Sequence, residues 1–340
     1  MIAEYVGVSR ETVSHILNGR ESYRHNEETR EKVLRAAEEL GYRPHRAALT
    51  MRKGRSNLIG IIHFGMSFQT VRAAAHYLPQ AIVANGYDIF VIDLSWHGGC
   101  HRRAVEQLVE ARVEGVIISH QVESFGKEEV QILTNAGIPV VTLAGNEKLG
   151  VPTIYGDSRA TLTQMVQHLH SVGHKKLLLL TNDYESRPTL NRIGGFQEGV
   201  QSLADVEGEI VRLPADRGGF YLGESAYGYV RQLIVNRALP DAILCTNDQW
   251  ARGAFAAALE AGVRIPEDLA ITGFDNEAFG EKAPYYLTTA APDIAEECAK
   301  AVEVLMELIA GRPLLQQHYV FPCKMIIRRS CGAEMSLPCA

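Results

Sequence analysis

The chain has 340 residues, more than one typical core holds, and points to two or three domains. Hydrophobic residues make up 46% and charged residues 22%, as in a soluble globular protein. No apolar run reaches transmembrane length and the amino terminus has no secretory pattern, so no membrane partner and a cytoplasmic location are expected. The net charge of −6 conceals an asymmetry. Residues 1–56 carry +3, from 11 Lys or Arg against 8 Glu, and the remainder carries −9. A basic head on an acidic body suits a chain whose head alone meets phosphates. The six cysteines, at 100, 245, 298, 323, 331 and 339, form no CxxC pair and read as reduced thiols, with Cys245 buried in an apolar run.

In chain order, residues 3–19 read as two short helices joined at Gly7-Val8-Ser9. Gly7 supplies the left-handed turn, Ser9 caps the second helix, and Glu11 meets the positive end of its dipole. This is a helix-turn-helix, whose second helix can enter a DNA major groove. Arg10, Glu11 and His15 stand where base edges would be read, with Ser9, Thr12, Ser14 and Asn18 available for phosphates or packing. A third helix starts at Asn26, runs through Val33, Ala36, Ala37 and Leu40, and stops at Gly41. Pro44 can open a further short helix, and a basic, polar run from Arg52 to Asn57 separates this head from the rest.

From Leu58 onward, apolar runs alternate with helical patterns. Strands are predicted at 58–64, 87–94, 115–119 and 138–144, then at 176–181, 208–213, 242–246 and 269–274. Helices lie between them, such as 69–84 and 102–111. About eight strands alternating with helices imply an α/β fold of two doubly wound sheets. Ligands of such sheets bind beyond the carboxyl ends of strands, which nominates 64–68, 95–101, 182–192, 247–248 and 275–276. Phe68 offers an apolar wall there. His97, Cys100 and His101 lie close together on a glycine loop and read as an exposed polar loop rather than a metal site.

The runs "VSRETVSHILNG", "LGYRPHRAA", "GRSNLIGII", "GHKKLLLLT", "RIGGF", "AILCTNDQWARGAF", "RIPEDLAITGFDN" and "IIRRSCG" occur in this order. Over nearly the whole chain they resemble the lactose-repressor/galactose-repressor family of bacterial transcription regulators. The resemblance implies a two-lobed type-I periplasmic-binding-protein-like effector domain with an N-terminal all-α head. It divides the chain into a head at 1–43 with a shortened first helix, a hinge helix and linker at 44–57, an effector and dimerisation domain at 58–330, and a tail at 331–340. Lobe crossovers are implied near 157, 288 and 318.

The same resemblance implies that Arg192, Asn247 and Asp275 hydrogen-bond the effector and that Tyr221 stacks on it. Asp157 acts at the crossover, as a hinge residue or a contact. Met51 takes the place of a leucine wedged into the minor groove, where it would kink the DNA. The implied protein is a homodimer that binds a pseudo-palindromic operator and answers to a small molecule in the inter-lobe cleft. A sugar or sugar derivative is the expected effector, with a nucleobase as the next choice. No cofactor and no metal are expected. Besides Met51, His15 departs from the family by replacing an arginine and Pro292 by replacing a polar residue that can face the ligand, and the loop 96–101 is not a family pattern. No GxSxG, HExxH, phosphate-loop or GxGxxG pattern suggests an enzyme. The rival reading is a ligand sensor with impaired DNA binding. Asp275→Ala is expected to abolish ligand stabilisation while leaving the apo melting curve nearly unchanged.

Overall fold

The computed structural model describes residues 2–17, 26–42, 54–64, 69–96, 101–119, 125–144, 149–183, 186–214 and 223–333. The chain forms two compact units, 1–56 and 57–340. In the first, helices α1 (Ile2–Val6), α2 (Arg10–Leu17) and α3 (Glu27–Glu39) close on a small core of Ile2, Val13, Ile16, Val33, Ala36 and Ala37. Gly7 has φ +73°, and the amides of Gly7 and Val8 both donate to the Ala3 carbonyl, which ends α1. Ser9 Oγ accepts from the Thr12 amide at 3.0 Å and starts α2. Asn26 caps α3 by accepting from the Glu28 amide, and Gly41 (φ +59°) terminates it, as the residue types require.

The second unit starts with β1 (Leu58–His63), α4 (Gln69–Ala84), β2 (Asp88–Asp93), α5 (His101–Glu110), β3 (Gly115–Ser119), α6 (Lys127–Asn135), β4 (Val140–Leu143) and β5 (Thr153–Asp157). It continues with α7 (Ser158–Ser171), β6 (Lys176–Asn182), α8 (Arg187–Gln201), β7 (Glu207–Leu213), α9 (Glu224–Val235), β8 (Ala242–Cys245), α10 (Asp248–Glu260) and β9 (Ala270–Thr272). It closes with β10 (Thr289–Ala291), α11 (Ile294–Ile309), β11 (His318–Pro322) and β12 (Lys324–Ile326).

Two all-parallel sheets result, in the orders β11-β5-β4-β3-β1-β2 and β7-β6-β8-β9, with a separate antiparallel pair β10-β12. Each large sheet has apolar packing on both faces, which is why β1, β3, β4, β6 and β8 are nearly continuous apolar runs. In both sheets the strand order reverses at one point, between β1 and β3 in the first lobe and between β6 and β8 in the second. A crevice must open there at the carboxyl ends.

Four strands lie outside the eight-strand reading: β5, β10, β11 and β12. The chain passes between lobes after Asp157, at Pro292 and at Cys323. The last two crossings lie a few residues beyond 288 and 318, because β10 and β11 each complete a lobe before the chain leaves it. Cys331 is fully buried against the second lobe, where its Sγ lies 3.3 Å from His168 Nε2, so it belongs to a core rather than to a tail. The glycine pair of "RIGGF" has a packing cause: a Cβ at Gly195 would stand 2.1 Å from the Arg159 carbonyl oxygen. Helices α7 and α8 touch backbone to backbone at that point.

Candidate functional site

The inter-lobe cavity encloses about 1040 Å³, its open mouth included. Its walls take Phe64 from the end of β1, Asn182 from β6, and Thr246 and Asn247 from the end of β8, so both reversal points of the strand order face it. Phe64 is held edge-on against Phe125, with ring centroids 5.7 Å apart. Tyr155, Gly156, Arg192, Phe274, Asp275, Pro292 and Glu297 also line the cavity.

Arg192, on α8, is fixed on three sides. It donates to the Thr246 carbonyl, donates to Asp275 Oδ1 at 3.2 Å, and lies 3.8 Å from the Phe274 ring centroid. Its Nε has no hydrogen-bond partner among the described residues, and neither does Thr246 Oγ1. Buried donors and acceptors left this way are costly. Asp275 holds φ +104°, a conformation that costs a non-glycine residue on the order of 1–3 kcal/mol. Burial lifts its carboxyl to about 6, with the Arg192 guanidinium offsetting part of that rise.

Two neighbouring polar side chains, an amide and a carboxyl, have structural work. Asn247 caps α10, its Oδ1 accepting from the Trp250 amide at 2.8 Å. Asp248 turns away from the cavity, accepting from Thr289 Oγ1 at 2.7 Å and from the Glu277 amide at 2.6 Å, and desolvation raises it to about 8. A Cβ at Gly273 would collide with its Oδ1 at 2.1 Å, so "TGFDN" needs that glycine. Across the cavity mouth, Arg72 of α4 donates to Glu277 Oε1 at 3.1 Å, a tie between lobes that no pattern in the sequence signals. A second such tie stacks the Arg187 guanidinium 4.2 Å from the Tyr155 ring centroid.

Of the sequence-derived effector residues, Arg192, Asn247 and Asp275 converge on this cavity. Asp157 does not line it. Its Oδ1 accepts from the Ala160 amide at 3.0 Å and caps α7, so a contact role gives way to the structural one. Phe68 and Tyr221 lie outside the described residues, as do Asn18, Met51, His97 and Cys100. In the head, Ser9, Arg10 and Glu11 are exposed and Thr12 and Ser14 half-buried. His15 departs from the expected base-reading role: it is 8% exposed, with Nε2 4.0 Å from Glu11, and a ring so covered is not presented outward. His101 opens α5 with its ring tilted on Phe125, and no group of three metal-binding side chains occurs among the described residues.

Residues 2–45 match the model of the bacterial regulatory proteins of the lacI family, and residues 166–331 match the periplasmic binding protein-like domain. The transcriptional regulator MalR of Streptomyces coelicolor is 29% identical over 337 residues, which cover 98% of this chain and 96% of that one. Among solved structures, the lac repressor dimer bound to operator and the anti-inducer ONPF superposes with a TM-score of 0.81 at 25% identity, covering 98% of each chain. A periplasmic binding protein/LacI transcriptional regulator from Alkaliphilus metalliredigens, complexed with D-xylulofuranose, gives 0.69 at 25% identity, covering 81% of this chain and 98% of that one. A helix-turn-helix head and a two-lobed ligand clamp on one chain define a ligand-responsive transcriptional regulator. The chain carries a lacI-family head and a periplasmic binding protein-like domain, the pairing found in its lacI-family relatives.

Proposed function

We propose that this regulator is a cytoplasmic repressor, not an enzyme, which grips a pseudo-palindromic operator as a homodimer and changes its grip when an uncharged sugar closes the cleft. One observation carries the effector part: Arg192 and Thr246, each holding a buried polar atom unpartnered among the described residues, line a cavity flanked by aromatic rings, in the place where both sheets reverse. Hydroxyl groups satisfy such atoms without adding charge, and the rings cover the apolar faces of a pyranose. The sugar held by the Alkaliphilus relative supports the same class. The effector contacts assigned are Arg192, Asn247 and Asp275, with Phe68 and Tyr221 as further walls.

For DNA, Arg10 and Glu11 are assigned to base edges and Ser9, Thr12, Ser14 and Asn18 to phosphates. Residues 44–57 are assigned as the hinge, with Met51 as the minor-groove wedge. A sugar shifts operator affinity only through its preference for one lobe arrangement. The test is an operator-binding assay on the full chain at several salt concentrations. Binding should weaken steeply as salt rises, through counterion release. Salt-insensitive or absent binding to every duplex of a randomised pool would leave a ligand sensor without DNA function.

A further inference from the structure

Glu297 is a buried carboxyl on the cavity wall whose electrostatic neighbours are all acidic. It lies in the first turn of α11, on the buried stripe of Ile294, Cys298, Ala301, Val302 and Leu305, and is 2% exposed. It lines the cavity, and its Oε1 has no hydrogen-bond partner among the described residues. The room for this carboxyl exists because residue 156 is glycine. A Cβ there would stand 3.1 Å from Glu297 Oε1, 2.8 Å from the Pro292 Cβ and 2.6 Å from Cys323 Sγ. Gly156 precedes the first crossing between lobes, Pro292 sits in the second and Cys323 in the third. The carboxyl is therefore on the cavity wall and at the pivot together.

The surroundings decide its protonation. The charges acting on it are Asp293 and Glu296 of its own helix, both acidic. At the third crossing lies the Cys323 thiol, which burial pushes up to about 12; Arg192 offsets part of that rise, and Glu297 and Asp157 add to it. From β5 it faces Gly156, where a Cβ would crowd it. An ion so placed is costly, and the group takes up a proton instead. Burial raises its pKa to about 8, so the carboxyl is mostly neutral at pH 7. A neutral carboxyl has an O–H to donate, which a carboxylate lacks.

We propose that Glu297 determines effector specificity by donating its carboxyl proton in a hydrogen bond to an oxygen of an uncharged, polyhydroxylated ligand. It thereby anchors that ligand on the lobe opposite Arg192 and Asp275. The proposal rests on the sugar reading above. A cationic ligand fits less well, because it would share the cavity with the Arg192 guanidinium.

The test titrates the full-length protein and its Glu297→Gln and Glu297→Leu variants at pH 6.5 and 9.0. The probes are D-glucose, D-xylose, maltose and cellobiose, with D-glucosamine at pH 6.5, where its amine is protonated, as the cationic control. Thermal shift and calorimetry are the readouts. A neutral sugar should bind the parent protein. Glu297→Gln, whose amide keeps a donor, should bind it within about threefold, and Glu297→Leu at least about tenfold more weakly. From pH 6.5 to 9.0 the parent should lose about tenfold in affinity, as the neutral acid falls to about a tenth of its population. Glu297→Gln should not, and this comparison removes any share due to Asp248 or Asp275.

Equal binding by all three proteins removes Glu297 from the site and leaves the sugar reading intact. A preference for glucosamine that disappears in Glu297→Gln makes the group a counter-ion and overturns the proposal. Silence of the parent protein towards every sugar overturns the sugar reading itself, and the proposal with it. Should Glu297→Leu fail to fold by far-UV circular dichroism, the two pH profiles of the parent protein and Glu297→Gln decide alone.

Discussion

The two walls of the cleft are built on opposite plans. On the second lobe, Arg192, Asp275, Thr246 and Phe274 are bonded or stacked to one another before any ligand arrives. On the first lobe, Glu297 lines the cavity with its Oε1 unpartnered among the described residues. The second-lobe wall holds its cation already paired, so a ligand meets it at little conformational cost, whereas the first-lobe wall carries a carboxyl among acidic neighbours. A clamp built this way has a side that receives and a side that responds.

Asp275→Ala attacks the preorganised wall and should have the largest effect. It leaves the buried Arg192 guanidinium without its counter-charge, so urea denaturation should read a loss of about 3–5 kcal/mol. This corrects the expectation that the apo protein would hardly notice; an unchanged apo midpoint would mean that Thr246 and Phe274 alone hold Arg192. On the responsive wall the effect is a pH dependence. Glu297 and Asp275 have folded pKa values raised to about 8 and about 6, so the native state binds more protons than the unfolded chain. Stability is then full below their unfolded values near pH 4 and falls as pH rises through 8. Glu297→Gln should flatten the upper part of that fall, on the order of 3 kcal/mol between pH 5 and 9. A parallel decline in both proteins would assign the slope to other groups. The smallest effect belongs to the tie across the mouth. Arg72→Ala should change stability by under about 1 kcal/mol, since Arg72 is 39% exposed. It should nevertheless enlarge the radius of gyration of the ligand-free protein in small-angle scattering; an unaltered radius would show that Glu277 does not restrain the lobes.

Much of this was legible in the residues, unevenly and for physical reasons. Helix α4 and strand β3 have the predicted bounds, because an amphipathic 16-residue period and a fully buried apolar run are strong signals. Strands β10, β11 and β12 escaped notice because they are short and, in β11, alternate exposed and half-buried residues at a sheet edge. The strand at 269–274 shortens to Ala270–Thr272, since Gly273 leads into a turn with positive φ at Asp275 and Asn276. In the cleft, strand ends marked the stretches 182–192, 247–248 and 275–276, and the family resemblance picked Arg192, Asn247 and Asp275 out of them. Glu297 was not, although one glutamate on the apolar stripe of α11 was there to be seen. The Arg72–Glu277 pair joins residues 205 positions apart, and no local pattern encodes it.

The antiparallel pairing of β10 with β12 has a mechanical consequence. Thr289, Ala290 and Ala291 are in register with Ile326, Met325 and Lys324, so the second and third connections are stitched into one ribbon. Neither can lengthen or slide while the other stays put. Of the six rigid-body freedoms two lobes would otherwise have, the three translations are curbed and rotations remain. An occupant therefore acts by turning one lobe against the other rather than by parting them.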